Sequence, residues 1–443
     1  MSESLRSVGL DVGTTSTQLV VSQLLVENRA SGFAVPEMEI TQRKVLYRSP
    51  VYFTPLLEGK LVDGEKIRHI VEEEYRKAGI SREQVHTGAI IITGETSRRE
   101  NARTVMEALS ELAGDFVVAT AGPDLESVLA AKGAGAVEYS ARTGKTVLHM
   151  DIGGGTSNLA LIQDGRITAT GCLNVGGRLL KFSEQGELLY VSPVLQDFSQ
   201  NLQETVEKLV QALEMAAGLR QADALLRHFW TEEAGSCESW LQALPKGDLV
   251  ISFSGGVADC IEKERAEFAF GDIGPGLGKA IRKSRLCAGQ YRLGEQTIRA
   301  TVIGAGCHSA QLSGSTVFYK NVTFPLKNLP VVTITEPSQI RQRIELQDGA
   351  AVLAMEGFSS PSYAQVVSLA EQIVAGVGQH PVYVALQQDM AKALGQAIAL
   401  RLPDVRPCLC IDSVVLEEGS FLDVASPVGP ALPVVIKTLI LGG

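Results

Sequence analysis

The sequence predicts an α/β protein whose sheets are flanked by helices. In the N-terminal half, short apolar and β-branched runs of strand length alternate with longer segments that have helical periodicity. One hairpin pattern also occurs twice, 140 residues apart. Of the 443 residues, 45% are apolar and 20% are charged, as is typical of globular proteins. This composition excludes a disordered chain, a collagen and a coiled-coil rod.

The predicted elements alternate along most of the chain. Residues 8–21 have the pattern of a hairpin interrupted at Gly13, and Gly64–Ala78 carries Ile67 and Val71 at helical spacing. Further strands are predicted at 89–93, 116–120, 146–152, 249–254 and 299–304. Further helices are predicted at 98–112, 123–136 and 201–217.

We expect three parts, at residues 1–145, 146–330 and 331–443. The second part contains an insertion near 182–245, where polar and apolar residues are mixed without a clear period. Prolines cluster near the last boundary, at Pro325, Pro330 and Pro337. Beyond that boundary, strands are predicted at 350–355, 382–386 and 434–441, and a helix is predicted at 390–400.

Charge and cysteine content argue against several classes of function. The net charge of −10 disfavours a general nucleic-acid binder, because attraction to phosphate backbones needs a basic field. The seven cysteines show no zinc spacing, and we expect Cys408 and Cys410 to be core residues on one strand. We find neither a membrane-spanning apolar stretch nor a signal peptide. The expectation is a cytoplasmic protein without nucleic-acid or membrane partners.

The repeated hairpin pattern indicates the chemistry. Residues 10–21 and 150–161 both have an Asp between apolar residues, then Gly, two more residues, two hydroxyl residues and an amide. Glycine lets backbone N–H groups approach an anion closely, and hydroxyls add donors. An aspartate at a strand end can hold a hydrated Mg²⁺ or orient a water molecule. Two such loops that face each other would clamp a polyphosphate from both sides.

Neither loop fits the two most familiar phosphate-binding motifs. No Lys-Ser or Lys-Thr pair follows the glycines, as a Walker A loop requires. Each loop opens a hairpin rather than a helix, unlike a dinucleotide-binding fingerprint. For either loop alone, an ordinary glycine turn remains the alternative interpretation.

Together with three further segments, these loops resemble the actin, Hsp70 and sugar-kinase superfamily of ATPases. Five segments recur there in fixed order, and each has a candidate here. They are phosphate loops at 11–17 and 151–157, connecting helices at 121–133 and from Val302, and an adenosine segment at 250–259. The resemblance implies a two-lobed, actin-like (ribonuclease H-like) ATPase fold with duplicated lobes and an additional C-terminal α/β segment. It also implies that ATP and Mg²⁺ bind between the lobes.

Residue roles follow from the repeat and from this resemblance. Asp11 and Asp151 are expected to hold the metal and, with Glu126, to form the catalytic set. Asp151 is favoured as the residue that orients the attacking water. The expected nucleotide-binding residues are Gly13, Thr14, Thr15, Ser16, Gly153, Gly154, Gly155, Thr156, Gly255, Gly256, Asp259, Gly304 and Gly306.

Several of these polar residues have structural alternatives. Glu126 either lies near the γ-phosphate or stabilises a helix start just after Pro123. Asp259 either touches the ribose or caps a helix, and the cap is favoured. Arg178 either reaches a phosphate or pairs with an acid at the rim of the cleft, and the ion pair is favoured. We expect His149 to be a packed core residue.

The whole chain also resembles one family of this superfamily, the reactivating factors of ethanolamine ammonia-lyase. Residues 8–15, 174–180 and 432–439 carry this resemblance. It implies an ATP- and Mg²⁺-dependent, chaperone-like protein that releases damaged cobalamin from the lyase, so that intact adenosylcobalamin enters. The lyase is then the partner. The resemblance is also compatible with a homodimer and with a location inside a bacterial microcompartment. A small-molecule kinase and an ATP-regulated filament-forming protein remain alternative functions.

Overall fold

The computed structural model describes most of the chain. The described residues are 3–13, 16–28, 38–57, 61–93, 117–120, 123–183, 185–196, 198, 201–231, 234–245, 247–308, 310–312, 317–347, 349–416, 418, 420–427 and 432–438. The predicted helix at 98–112 and two predicted site residues, Thr14 and Thr15, lie outside this set.

The first lobe is built on one mixed sheet. Its elements are β1 (Glu3–Val12), β2 (Ser16–Asn28), β3 (Met38–Arg48), β4 (Tyr52–Phe53), β5 (Leu56–Leu57), β6 (Leu61–Val62), α1 (Gly64–Ala78), β7 (Thr87–Ile92) and β8 (Val117–Thr120). Strands β1 to β3 pair antiparallel, and β7 and β8 extend the sheet in parallel, in the order β3-β2-β1-β7-β8. Helix α1 packs its apolar residues, including Ile67 and Val71, on this sheet. Asp63 caps its start, because the Asp63 side chain accepts from the backbone N–H of Lys66.

The second lobe repeats this topology. The chain from Pro123 to His308 forms α2 (Pro123–Gly133), α3 (Ala136–Thr143), β9 (Val147–Ile152), β10 (Ser157–Gln163), β11 (Arg166–Leu173), β12 (Leu180–Phe182), β13 (Leu188–Val191), α4 (Leu202–Ala216), α5 (Ala224–Phe229), α6 (Cys237–Ala243), β14 (Val250–Ser254), α7 (Asp259–Glu262), α8 (Gly274–Lys283), β15 (Tyr291–Leu293) and α9 (Ala300–His308). The sheet order is β11-β10-β9-β14-β15. Strands β9 to β11 are antiparallel, and β14 and β15 add in parallel. The predicted duplicated, actin-like α/β architecture is therefore confirmed.

Helices α2 and α9 cross where glycines remove the side chains between them. A Cβ atom on Gly133 would overlap the Ala300 carbonyl oxygen, and one on Gly304 would overlap the Leu129 carbonyl oxygen. Helix α9 also packs on the first sheet, where Gly306 lies against Gly9 of β1. This close approach ties the two lobes together, because small residues let two helix backbones come near each other.

A third sheet follows the second lobe. Its elements are β16 (Ala310–Leu312), β17 (Phe318–Lys320), β18 (Leu326–Thr333), α10 (Ile340–Ile344), β19 (Val352–Met355), α11 (Tyr363–Val377), β20 (Val382–Leu386), α12 (Ala391–Ala399), β21 (Cys408–Ile411), β22 (Ser420–Val424) and β23 (Pro433–Thr438). The order is β16-β23-β22-β18-β19-β20-β21-β17. Strands from Ala310 onward already belong to this sheet, whereas the predicted boundary at residue 331, like the other boundaries, stays a prediction.

One predicted element is wrong. Residues 299–304 were expected to form a strand, but they begin helix α9. The run Ala300-Thr301-Val302-Ile303 is short, apolar and β-branched, and such a run does not distinguish a strand from a buried helix. Packing against both α2 and the first sheet favours the helix. The competing expectation of a connecting helix in this region is correct, although the helix begins two residues before Val302.

Candidate functional site

A cavity of about 440 Å³ lies between the first two sheets, and both hairpin turns contribute to its wall. Asp11 and Asp151 line this cavity together, although 140 residues separate them in the chain. The two sheets present equivalent strand ends to one space. The arrangement is the one expected if the two loops enclose a single ligand.

An equivalent backbone hydrogen bond closes each of the two turns. The Gly13 N–H donates to the Ser16 carbonyl at 2.9 Å, and the Gly153 N–H donates to the Thr156 carbonyl at 2.9 Å. In each hairpin the aspartate lies opposite an amide residue, since Asp11 pairs with Gln18 and Asp151 with Asn158. The repeat seen in the sequence is thus also a repeat in register.

A hydroxyl from the neighbouring strand region holds each aspartate. The Thr93 hydroxyl donates to Asp11 Oδ1 at 2.9 Å. The Ser254 hydroxyl donates to Asp151 Oδ1, and the Thr301 hydroxyl lies 3.5 Å from Asp151 Oδ2. These contacts fix the two carboxylates in the cavity wall.

Burial makes both carboxyl groups unusually weak acids. Desolvation, together with the nearby charge of Asp151, raises the pKa of Asp11 to about 7 against the hydrogen bond from Thr93. Desolvation raises the pKa of Asp151 to about 6. Among the described residues, neither carboxylate forms an ion pair with a cationic side chain. Two buried, mutually repelling carboxylates therefore favour a bound cation, because opposite charge lowers both pKa values again.

His149 belongs to the hydrogen-bond network behind Asp151. It is fully buried, and its Nε2 and Nδ1 atoms lie 2.8 Å from the Ser254 hydroxyl and 3.1 Å from the Ser252 hydroxyl. Burial lowers the pKa of His149 to about 3, so the ring is neutral. Because the Ser254 hydroxyl gives its proton to Asp151, it must accept from His149 Nε2–H. The expectation of a packed core histidine is correct, and its position supports the Ser254–Asp151 contact.

The second turn is held by a neighbouring loop. The Gly177 N–H donates to the Gly153 carbonyl at 3.0 Å, and the Arg178 N–H donates to the Gly154 carbonyl at 2.6 Å. The Arg178 side chain pairs with Asp272 at 3.1 Å, as favoured from the sequence. Its guanidinium group also lies 5.6 Å from the centre of the Phe53 ring, which belongs to the first lobe. Arg178 therefore links the two walls at the rim of the cavity.

Most of the predicted site residues lie around the cavity. The lining residues among them are Asp11, Gly13, Ser16, Glu126, Asp151, Gly153, Gly154, Gly155, Thr156, Gly255, Gly256 and Asp259. Their predicted roles in binding and catalysis stay predictions.

For three glycines and one acid of the predicted site, the structure shows a packing, backbone or hydrogen-bonding role. Gly304 and Gly306 are absent from the described lining and lie in the packing face of α9. Gly255 has a φ of +86°, and a Cβ at this position would overlap the Ile152 carbonyl oxygen. The backbone therefore requires glycine here, whether or not the residue contacts a ligand. Asp259 is not the cap of its helix; that position is Ala258, and Asp259 instead accepts from the Thr297 hydroxyl at 2.7 Å.

Sequence reasoning missed several polar residues of the site. Thr93 and Ser254 hold the aspartates, and Gln18 and Asn158 line the cavity wall. The amides were visible as part of the repeat. Thr93 directly follows β7, and Ser254 is the last residue of β14; these strands run parallel to the strands that carry Asp11 and Asp151. Once the sheet order is known, hydroxyl residues at these positions can be recognised in the sequence.

The donor chemistry fits a hydrated divalent cation that is shared with a ligand. Within the described ranges, no group of three or more His, Cys, Asp or Glu side chains could hold a metal by itself. Two carboxylates are nevertheless sufficient for Mg²⁺, which keeps several waters and is usually shared with phosphate oxygens.

The described helices include none long and apolar enough to cross a membrane.

Comparison with known proteins gives matches over almost the whole chain. The sequence profile of the family described as "Ethanolamine utilisation protein EutA" matches residues 3–442. A protein of Salmonella typhimurium named ethanolamine ammonia-lyase reactivase EutA is 39% identical, over 98% of each chain. A protein of the same name from Escherichia coli K12 is 38% identical, also over 98% of each chain.

Solved structures give a weaker likeness. The Ppx/GppA enzyme of Aquifex aeolicus is 12% identical, with a TM-score of 0.43 over 68% of this chain and 99% of that chain. Similarity at this level supports no conclusion about ligand or reaction.

Proposed function

The chain belongs to the EutA family of ethanolamine utilisation proteins, and from this premise we propose that it reactivates ethanolamine ammonia-lyase at the expense of ATP. The observation that carries the proposal is the pair of equivalent Asp-led turns on opposite walls of one cavity. The names of the relatives identify ethanolamine ammonia-lyase as the proposed client enzyme, and the cavity supports the proposal of a nucleotide site.

In this proposal the two turns hold the phosphates of ATP. Backbone N–H groups of glycine-rich turns and nearby hydroxyls, such as those of Ser16 and Thr156, are suited to anionic oxygens. Asp11 and Asp151 would hold Mg²⁺, which neutralises charge on the phosphates during phosphoryl transfer. The cavity volume of about 440 Å³ lies within the range of ordinary ligand pockets.

Asp151 is the residue we propose to orient the attacking water. It is held by the Ser254 hydroxyl, and a pKa of about 6 leaves it mostly ionised near neutral pH. An ionised carboxylate can accept a proton or a hydrogen bond from water. Glu126 lines the same cavity and accepts from Asn158 at 2.8 Å, and we propose it as a further acid of the catalytic set.

In reactivation, binding and hydrolysis of the nucleotide would change how the two lobes are arranged relative to each other. ATP that touches both walls favours a closed arrangement, and hydrolysis removes that preference. A client enzyme responds only if it binds the two arrangements with different affinity. We propose that this difference loosens the damaged cobalamin in the lyase, after which adenosylcobalamin binds. We place this activity in the cytoplasm, either free or inside a microcompartment with the lyase.

The test is restoration of activity to inactivated lyase. The lyase is first inactivated with a cobalamin that lacks the adenosyl group, and the chain is then added with ATP, Mg²⁺ and fresh adenosylcobalamin. We expect deamination of ethanolamine to return only when all components are present. Omission of ATP and the Asp151→Asn variant are the controls.

Two outcomes would point elsewhere. ATP consumption that is stimulated by a metabolite, with a phosphorylated product, would indicate a kinase. Light scattering that rises when ATP and Mg²⁺ are added to the chain alone would indicate a filament-forming protein. Either result without lyase reactivation would contradict the proposal.

A further inference from the structure

The cavity wall contains a pair of buried amide side chains whose oxygens have no hydrogen-bond partner among the described residues. Gln18 lies opposite Asp11 in the first hairpin, and Asn158 lies opposite Asp151 in the second. Both residues line the cavity and are only 2% and 4% exposed. Within the described part of the chain, Gln18 Oε1 and Asn158 Oδ1 accept no hydrogen bond.

The orientation of each amide is fixed by the group that its nitrogen faces. Gln18 Nε2 donates to the Ile298 carbonyl at 3.1 Å, and Asn158 Nδ2 donates to Glu126 Oε2 at 2.8 Å. Both partners are acceptors, so only the NH₂ end of each amide can face them. The oxygen of each amide is therefore the end left without a partner.

The carboxylates that line the same cavity, when ionised, do not supply the missing donors. Asp11, Asp151 and Glu126 also line the cavity, and ionised carboxylates only accept hydrogen bonds. Buried polar groups in folded proteins are nearly always satisfied. The donors are thus expected to come from a bound species. Water on a divalent cation suits the position, since Mg²⁺ retains several waters when proteins bind it.

We propose that the side-chain oxygens of Gln18 and Asn158 accept hydrogen bonds from the water shell of the divalent cation that Asp11 and Asp151 hold. This inference rests on the proposed Mg²⁺- and ATP-dependent function. The two amides are positioning residues, because they act on the cation through its waters. Partners of this kind that surround a metal typically change its affinity 10- to 100-fold when they are removed.

The test is binding of Mn²⁺, followed by electron paramagnetic resonance in the presence of a non-hydrolysable ATP analogue. We expect Gln18→Met and Asn158→Leu each to weaken Mn²⁺ binding by on the order of tenfold. Binding of the analogue without metal, measured in EDTA, should stay unchanged, which also shows that the variants are folded. Gln18→Glu keeps an acceptor oxygen but loses the donor to Ile298, and it should bind Mn²⁺ at least as tightly as the unaltered chain.

A matched control removes a comparable atom elsewhere. Thr87 Oγ1 is also buried and has no hydrogen-bond partner in the described part of the chain, but Thr87 does not line the cavity, so Thr87→Val should leave Mn²⁺ binding unchanged. Unaltered Mn²⁺ binding in Gln18→Met and Asn158→Leu would overturn the inference and leave the proposed function standing. Equal weakening in Gln18→Met and Gln18→Glu would also overturn it, since the amide donor would then be the cause. Failure of the unaltered chain to bind Mn²⁺ with the analogue would overturn the proposed function and this inference together.

Discussion

Asp11 and Asp151 determine, at the scale of single residues, what the cavity can bind. Each is buried, each accepts a hydroxyl hydrogen bond, and each has a raised pKa. A raised pKa means that ionisation is costly in the folded chain without a cation. A ligand that brings positive charge relieves this cost, whereas a neutral or purely anionic ligand does not.

The first prediction concerns pH and metal binding. Protons compete with the cation for the carboxylates, and the pKa of Asp11 is about 7. Metal ligands must be deprotonated, so Mg²⁺ affinity should fall as the pH falls. Between pH 8 and pH 6 we expect a loss of about tenfold, measured by titration of Mg²⁺ in the presence of a non-hydrolysable ATP analogue. A constant affinity over this range would show that Asp11 does not hold the metal.

The second prediction concerns the attacking water. Asp151→Asn keeps the shape of the side chain but removes its charge and basicity, so ATP turnover should fall by at least about 100-fold. The matched control is Asp164→Asn, the same change at an exposed turn of the second lobe, which should turn over ATP at the unaltered rate. Near-normal turnover by Asp151→Asn would remove this residue from the mechanism.

At the scale of elements, the crossing of α2 and α9 depends on glycine at the points of contact. Gly133 and Gly304 each face a carbonyl oxygen of the other helix, with no room for a Cβ. Helix propensity alone favours alanine at such positions by about 1 kcal/mol. Tertiary packing therefore overrides local propensity here.

The third prediction tests this contact. Gly304→Ala should lower the free energy of unfolding by about 1–3 kcal/mol, because backbone overlap forces the helices apart. Gly276→Ala is the control, since Gly276 lies in helix α8 with open space around its Cβ position, and its stability should change by less than about 1 kcal/mol. Urea denaturation measures both variants. A Gly304→Ala chain as stable as the unaltered one would contradict the described packing.

Elements with a local signal could be predicted from the sequence. The two hairpins were predictable because the aspartate, the glycine turn and the flanking apolar residues are contiguous. Helix α1 was predictable because its apolar residues recur at helical spacing and Gly79, in a left-handed conformation, ends it.

Features set by distant contacts could not be predicted. Residues 300–304 had the composition of a strand, but they form a helix that packs against α2 and the first sheet. The support of Asp11 by Thr93 joins residues 82 positions apart in sequence, and that of Asp151 by Ser254 spans 103. Neither pairing has a local sequence pattern, because the order of the strands in each sheet brings the two residues together.

At the scale of the whole molecule, two sheets of equivalent topology face one cavity, and a third sheet follows them. A ligand that contacts both walls would favour the arrangement of the lobes in which both contacts are made. Arg178, placed near Phe53 across the rim, adds a protein contact between the same walls.

The fourth prediction is that a nucleotide protects both walls at once. With Mg²⁺ and a non-hydrolysable ATP analogue, amide hydrogen exchange should slow by about tenfold or more in both hairpin turns, at Gly13 and at Gly153–Thr156. Strand β20 of the third sheet does not contribute to the cavity and serves as the internal reference. Protection of one turn alone would mean that the ligand does not bridge the lobes.

The junction between α9 and the third sheet has a mechanical consequence. Helix α9 lies against α2 and β1 and ends at His308, and β16 begins at Ala310. Strand β16 is paired with β23 at the margin of the third sheet. A linker of one residue provides almost no slack, so any tilt of α9 would pull that margin with it. Movement at the crossing of α2 and α9 would therefore be transmitted to the third sheet.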